Sequence, residues 1–343
     1  MMNETLQLIR TARSRRFRRF VLMTSLLCLI SFALCCLMLM LGNTIYPVKD
    51  VIRVLLGEEV KGASFAVGTI RLPRMVAGLF AGFAFGAGGY VFQTMLRNPL
   101  ANPNVIGITT GASAAAVFCI VILHASLTMT SIAAVIGGLY TVLVIYVLAK
   151  GNSFSIGRLI LIGIGIQAML NSVISYLLLI GSQHDLPTAL RWLSGSLNGL
   201  KMETLYPMII TVSIFSPILM FYGRRLEMLE LGDQTATSLG VNVNLTRIVL
   251  IISSVMMIAI ATATTGPIAF VAFLSGPIAN RIMGSGYSNI VPAGLVGVIL
   301  VLAGDLIGQH AFEARYPAGV ITGVLGAPYL LYLLVRLNRK GGL

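Results

Sequence analysis

The chain has 343 residues, of which 57% are hydrophobic and only 10% charged, and its mean hydropathy is +0.92. Soluble domains carry roughly 25% charged residues, so this composition excludes a soluble globular protein. It predicts an all-α polytopic membrane protein, since at roughly 20 apolar residues per crossing of a bilayer core about 30 Å thick the length holds about ten spans and leaves no room for a separate soluble domain. The net charge of +13 does not point to nucleic acid, because the basic residues are scattered between apolar runs and form no face with interleaved aromatics.

In chain order, residues 1–19 form a basic segment whose cluster from Arg10 to Arg19 abuts the first span and reads as a membrane-surface anchor. The apolar run 20–41 is longer than the 7–15 residues of a signal-peptide core and lacks a small-x-small cleavage site, so it reads as a retained anchor. Hydropathy predicts spans at 20–41, 74–93, 105–123, 127–149, 158–181, 204–222, 246–265, 268–283, 290–309 and 318–336. The span 268–283 contains Gly276 and Pro277 and reads as a shortened or broken helix, which a membrane tolerates where neighbours or a cavity satisfy the freed backbone. Cys28, Cys35, Cys36 and Cys119 all fall in apolar runs, with no metal-ligand spacing. Alternate assignment of the loops puts about two thirds of the 24 Lys and Arg residues on the side of the N-terminus. The positive-inside rule therefore places both termini in the cytoplasm. The ten-helix region is 20–337, and 338–343 is a cytoplasmic tail.

Two kinds of connecting segment stand out. On the outer side the longest are Gly42 to Pro73 and Ser182 to Glu203, and LPTALRWLSGSL in the latter predicts a short interfacial helix anchored by Trp192, the single tryptophan. On the cytoplasmic side the segment 223–246 is the one long polar interior loop. Leu229, followed by Ala236 and Leu239 between Gly232 and Gly240, predicts short helices lying against a partner. An ordinary solvated loop is the other reading.

The chemistry absent from the sequence is as informative. None of the five lysines follows a glycine, so there is no G-x-x-x-x-G-K-[ST] phosphate loop. His124, His184 and His310 are far apart and form no metal-binding pattern. Assigning the eleven acidic residues leaves one carboxylate, Asp305, inside a span. There it must be paired, protonated or turned to a polar path. It is either a structural residue hydrogen-bonded to a neighbouring backbone or a residue lining a polar path. No catalytic residue is predicted. The glycine-rich run GLFAGFAFGAGG repeats small residues at helical spacing, Gly78, Gly82 and Gly86, which permits close helix packing.

Four blocks carry a family resemblance: RLPRMVAGLFAGFAFGAGG with FQTMLRNPLANPNVIGITTGAS, LGDQTATSLGVN, GPIAFVAF, and AGD followed by PAGVITGVLGAPYLLYLL. In order and spacing they resemble the permease subunits of iron-siderophore, haem and cobalamin ABC importers, the type II importer family. LILIGIGIQAML and RWLSGSLNGL are most similar to ferric enterobactin-type permease subunits. The resemblance implies ten spans in the type II permease fold and a second permease subunit, with a heterodimer favoured over a homodimer. It implies two cytoplasmic ATPase subunits that hold ATP and Mg, an extracytoplasmic substrate-binding protein, and a place in the bacterial inner membrane. It implies ferric siderophore as cargo, with cobalamin or haem as the alternative within the family. An ion-coupled secondary transporter is the remote alternative, disfavoured by the missing coupling carboxylates. No cofactor is expected on this chain, and no metal ligand, because siderophore iron arrives already chelated.

The same resemblance assigns residue roles. It makes Leu231, Gly232, Asp233, Ala236, Leu239 and Gly240 the ATPase-coupling contact, with Asp233 placed as an N-cap, Gly240 as the helix stop, and Ala236 and Leu239 on one face. It makes Arg71 and Arg74 docking residues for an acidic binding protein, with Pro73 starting the helix between them. Two departures from the family pattern occur. Gly276 to Arg281 reads GPIANR where the family has PHIARR, and Arg315 stands where the family often has Glu before the last span.

Overall fold

The computed structural model describes residues 2–101, 103–149, 156–284 and 286–339. Lys150, Lys340 and most of the predicted tail at 338–343 lie outside the described residues. Among the described residues the chain is helical throughout. In order come α1 (Met2–Met40), α2 (Val48–Leu55), α3 (Leu72–Met95), α4 (Ile108–Val121), α5 (Leu127–Ala149), α6 (Ile156–Ile180) and α7 (Leu186–Leu193). They are followed by α8 (Met202–Glu230), α9 (Asp233–Ser238), α10 (Val243–Thr265), α11 (Val271–Met283), α12 (Ile290–His310) and α13 (Ala318–Arg339).

Each predicted span corresponds to a helix, and eight of them are long and apolar enough to cross a bilayer. The other two are short. α11 has 13 residues and α4 has 14, about 20 Å each at 1.5 Å per residue, less than the hydrocarbon thickness. α11 runs unbroken through Gly276 and Pro277, so of the two forms expected there it takes the shortened one, whereas the shortness of α4 was not legible in the sequence. Pro277 has no N–H to give the carbonyl of Phe273 one turn back. Gln93 of α3 replaces it, its Nε2 donating to that carbonyl at 2.8 Å.

The centre of the fold is α3, whose residues from Ala84 to Met95 are all buried. It packs against α12, α10, α11 and α8. The small-residue stripe makes this possible. A Cβ on Gly82 would stand 2.7 Å from the carbonyl oxygen of Gly297 and from the Cα of Val298, so α3 and α12 meet backbone to backbone. Gly86 meets the backbone of Ala293 in the same seam, whereas Gly78 faces only the side chains of Leu302 and Leu197. Between helices in lipid such van der Waals contact, rather than release of water, drives association. The periphery is apolar outward, as at Phe32 on α1, Leu143 on α5 and Leu179 on α6, all exposed on the single chain.

Three features differ from the expectation. The basic segment before residue 20 is not separate from the first span, because α1 runs unbroken from Met2 to Met40. Arg19 on it donates to the carbonyl of Ile282 at 3.0 and 2.8 Å, placing a cation at the C-terminal end of α11, where free carbonyls collect. The polar loop is shorter than 223–246, since α8 continues to Glu230 and α10 begins at Val243 with Asn242 capping it through a 3.0 Å bond from Leu245 N–H. Trp192 lies on the predicted short helix α7, but its ring is partly buried against the cluster of Ala112, Ala116, Ala134 and Ala263 instead of standing free at an interface.

Candidate functional site

The two ends of the helix bundle carry different polar groups. One end, called here the terminal end, gathers the start of α1, the ends of α3, α8, α11 and α13, and the start of α10. The opposite end holds the start of α3 and the end of α12.

At the opposite end Asp305 is fully buried, with 0% of its side chain exposed, and Arg74 is 12% exposed. The guanidinium of Arg74 grips the carboxylate with two bonds, Nε to Oδ2 at 2.7 Å and Nη2 to Oδ1 at 2.8 Å. Gln309, one turn along α12, donates to Oδ2 at 2.6 Å, and Asn198 accepts from Arg74 Nη1 at 3.3 Å. This paired, fork-on-fork geometry is how a charge is held away from water. The partner of Asp305 is therefore a side chain from another helix, not a neighbouring backbone group.

The docking role expected for Arg71 and Arg74 meets the same geometry. Arg74 is committed to Asp305. Arg71 donates to the carbonyls of Leu39, Met40 and Thr44 at 3.0, 2.8 and 2.6 Å, and lies 5.0 Å from the centre of the Tyr46 ring. Both guanidiniums are internally bonded while keeping some exposure, Arg71 tying the start of α3 to the segment after α1 and Arg74 tying α3 to α12. Arg315, one of the departures from the family pattern, donates to the side chain of Asn43.

At the terminal end the segment from Leu231 to Asn242 contains one short helix, α9. Gly232 precedes it with φ of +113°, a value open only to glycine, and Gly240 follows it at φ +82°, the left-handed stop expected there. Asp233 is not the cap. Gly232 occupies that position without a side-chain bond, and the Asp233 carboxylate instead accepts from Arg97 Nη2 at 2.9 Å and from Arg247 Nη2 at 3.0 Å to each oxygen. Arg97, itself at φ +52°, also donates to the carbonyl of Leu229 at 3.2 Å. One carboxylate thus ties the ends of α3 and α8 to the start of α10.

Nor do Ala236 and Leu239 share a surface. Ala236 is 0% exposed and belongs to the core with Leu226, Leu229 and Val241, while Leu239 is 56% exposed and Leu231 65%. The turn of α9 that faces the bundle is thus small and the turn that faces away is apolar, leaving two leucines in the open beside charged groups.

Between the ends, Phe270 adopts φ +63° at the start of α11, an unusual conformation for a bulky residue. Its neighbour Gly266 sits with φ +73° against the carbonyl of Trp192, so the α10–α11 turn and the end of α7 are pressed together. At the other end of α11, Asn280, where the family has Arg, accepts from Asn289 Nδ2 at 2.8 Å, and Arg281 lies 5.9 Å from the centre of the Tyr332 ring. Sequence reasoning missed Gln93, Arg97, Asn198 and Arg247. The one available signal was Pro277, which requires a donor for the carbonyl it leaves unpaired.

Comparison with known proteins bears on what these ends serve. The profile of the FecCD transport family matches residues 27–336. The chain is 38% identical over 303 residues to the ferric enterobactin transport system permease protein FepG of Escherichia coli K12, covering 87% of this chain and 91% of that one. It is 34% identical to the achromobactin transport system permease protein CbrC of Dickeya dadantii, covering 94% and 95%. It is 31% identical to the cobalamin import system permease protein BtuC of Halobacterium salinarum, covering 79% and 74%. A solved structure described as an inward-facing conformation of a metal-chelate type ABC transporter superposes with a TM-score of 0.81 over 92% of this chain and 99% of the other, at 24% identity, and so shares the fold. With the profile reaching into every membrane helix, and identity above 30% over most of each of the three relatives, the chain belongs to the FecCD transport family.

Proposed function

We propose that this protein is one permease subunit of an ATP-driven importer that moves ferric siderophore across the cytoplasmic membrane. The observation that carries the cargo is the 38% identity to a ferric enterobactin permease across nearly the whole of both chains. The absence of a phosphate loop from the sequence fits ATP hydrolysis on two separate cytoplasmic subunits, with this chain supplying the path and no cofactor of its own. A second permease subunit completes the path, a different chain by the likeness to enterobactin-type subunits. The terminal end faces the cytoplasm, as its excess of basic residues favours. There Leu231 and Leu239 present the apolar contact to the ATPase, and α9 is held in place by the Asp233 bridges. The opposite end receives the binding protein, with Arg71 and Arg74, partly exposed although internally bonded, as its docking residues by the family likeness.

The test is reconstitution in proteoliposomes with the partner permease, ATPase and binding protein. Radiolabelled iron supplied as a catecholate siderophore complex should accumulate only with ATP and only with an active ATPase. Cobalamin or haem accumulating in place of the iron complex would reassign the cargo within the family. Accumulation driven by an ion gradient without ATP would overturn the importer reading itself.

A further inference from the structure

A cavity of about 690 Å³ lies at the terminal end between α1, α8 and the turn at Gly286 to Ser288. Arg13, Arg16 and Phe20 line it from one side and Met220, Arg224 and Glu227 from the other. Steps of three and four residues put each trio on a single helix face, so the cavity is a cleft between two facing stripes. Phe20 and Met220 fall within the apolar runs of their helices, and Arg16 and Arg224 each follow four residues nearer the end, about 6 Å along the axis. The cleft therefore has an apolar floor at membrane depth and a cationic rim. Tyr287 closes the floor, its ring centre 5.1 Å from that of Phe20 and 5.9 Å from that of Phe17.

The rim is unbalanced. Three guanidiniums face one carboxylate, and among the described residues none of the three makes an ion pair. Their neighbours on the same helices are occupied, Arg19 on the carbonyl of Ile282 and Arg225 over the Tyr222 ring at 4.7 Å. Two further groups at the cavity lack hydrogen-bond partners although their atoms are buried, Oε1 of Glu227 and Oγ of Ser288. An occupant that fits this lining brings an anion for the arginines, hydroxyls for the polar side at Glu227 and Ser288, and an apolar tail for the floor.

We propose that this cleft seats the headgroup of an anionic phospholipid of the phosphatidylglycerol class. The phosphodiester lies among Arg13, Arg16 and Arg224, the glycerol hydroxyls reach Glu227 and Ser288, and an acyl chain runs down past Phe20 and Met220. Basic pockets between membrane helices recognise lipid headgroups in this way. The site bridges α1 to α8, so the bound lipid clamps the first helix to the helix that leads into α9. The proposal does not depend on the identity of the cargo.

The test uses the purified full chain in detergent, incubated with equimolar dioleoylphosphatidylglycerol and dioleoylphosphatidylcholine and read by native mass spectrometry. The wild type should retain phosphatidylglycerol in clear preference. Arg16→Gln with Arg224→Gln should lower that retention about tenfold or more, whereas Arg15→Gln with Arg18→Gln, which removes the same charge from the opposite face of α1, should leave it unchanged. Equal loss in both double variants would reduce the effect to general surface charge and overturn the site. Displacement of the lipid by millimolar inorganic phosphate would identify a soluble anion as the occupant and overturn the lipid. A photoactivatable phosphatidylglycerol on the wild-type chain gives a readout that needs no variant. Crosslinks should map to residues 10–20, 220–227 and 286–288, and crosslinks confined to other segments would overturn the proposal.

Discussion

Replacing Asp305 with leucine removes the carboxylate that accepts two bonds from Arg74, at 2.7 and 2.8 Å, and one from Gln309 at 2.6 Å. The residue is wholly buried and the Arg74 side chain nearly so, hence the arginine would be left charged and unpaired in a medium that solvates it poorly. Breaking one side of a buried pair costs about 3–5 kcal/mol, whereas replacing both partners by apolar groups of similar volume is often neutral. Asp305→Leu should therefore lose most of its thermal stability in detergent, and Arg74→Met with Asp305→Leu should recover most of it. Asp305→Asn, which keeps an acceptor for one N–H, should fall between them. Thermal unfolding of the four purified proteins, with the fraction recovered as a single species, ranks them. A double variant no more stable than Asp305→Leu, or Asp305→Leu as stable as the wild type, would show that the pair does not hold α3 to α12.

Three further outcomes are expected. Asp233→Asn removes both the Arg97 and the Arg247 bridges; the pair with Arg97 is exposed and worth below about 1 kcal/mol, whereas Arg247 is 11% exposed and loses its carboxylate partner, so the subunit should insert with a modest loss of thermal stability while its co-purification with the ATPase weakens. Leu239→Glu should leave thermal stability unchanged and abolish ATPase binding, while Ala236→Glu, at a fully buried position, should lower both; identical behaviour of the two would mean that α9 has no inner and outer face. Gln93→Leu should cost about 1–3 kcal/mol by orphaning the Phe273 carbonyl, and adding Pro277→Ala, which restores an N–H to that carbonyl, should return part of it; a second change that makes the protein worse would argue against the substitution of one donor for the other.

Much of this architecture could be read from periodicity and composition, because each apolar run of membrane length can satisfy its backbone only as a helix. Gly276 and Pro277 marked α11 as the exceptional, shortened span, and the spacing of Gly78, Gly82 and Gly86 marked a packing face, although only the latter two reach backbone. Pairing across long distances was not legible. Arg74 and Asp305 are 231 residues apart, and hydropathy carries no information on which helices become neighbours. Asp233 was misread for a different reason. An Asp at the start of a short helix satisfies the pattern of a cap, but Gly232 took that position by its backbone conformation and freed the carboxylate for Arg97 and Arg247. The exposure of Leu239 opposite buried Ala236 likewise depends on how α9 rolls against α8 and α10, a tertiary choice invisible in twelve residues of loop.

The glycine seam between α3 and α12 has a mechanical consequence. Side chains can change rotamer to let helices slide or roll, but a contact of backbone on backbone at Gly82, Gly86, Ala293 and Gly297 has no such freedom. The two helices, locked further by the Arg74–Asp305 fork at one end, form a stiff spar that must travel as one piece. Whatever displacement the transport cycle imposes has to be taken up at compliant joints elsewhere: the short helices α4 and α11, the turn at Gly266 with Phe270 in its unusual conformation, and the hinge formed by Gly232 and Gly240 around α9.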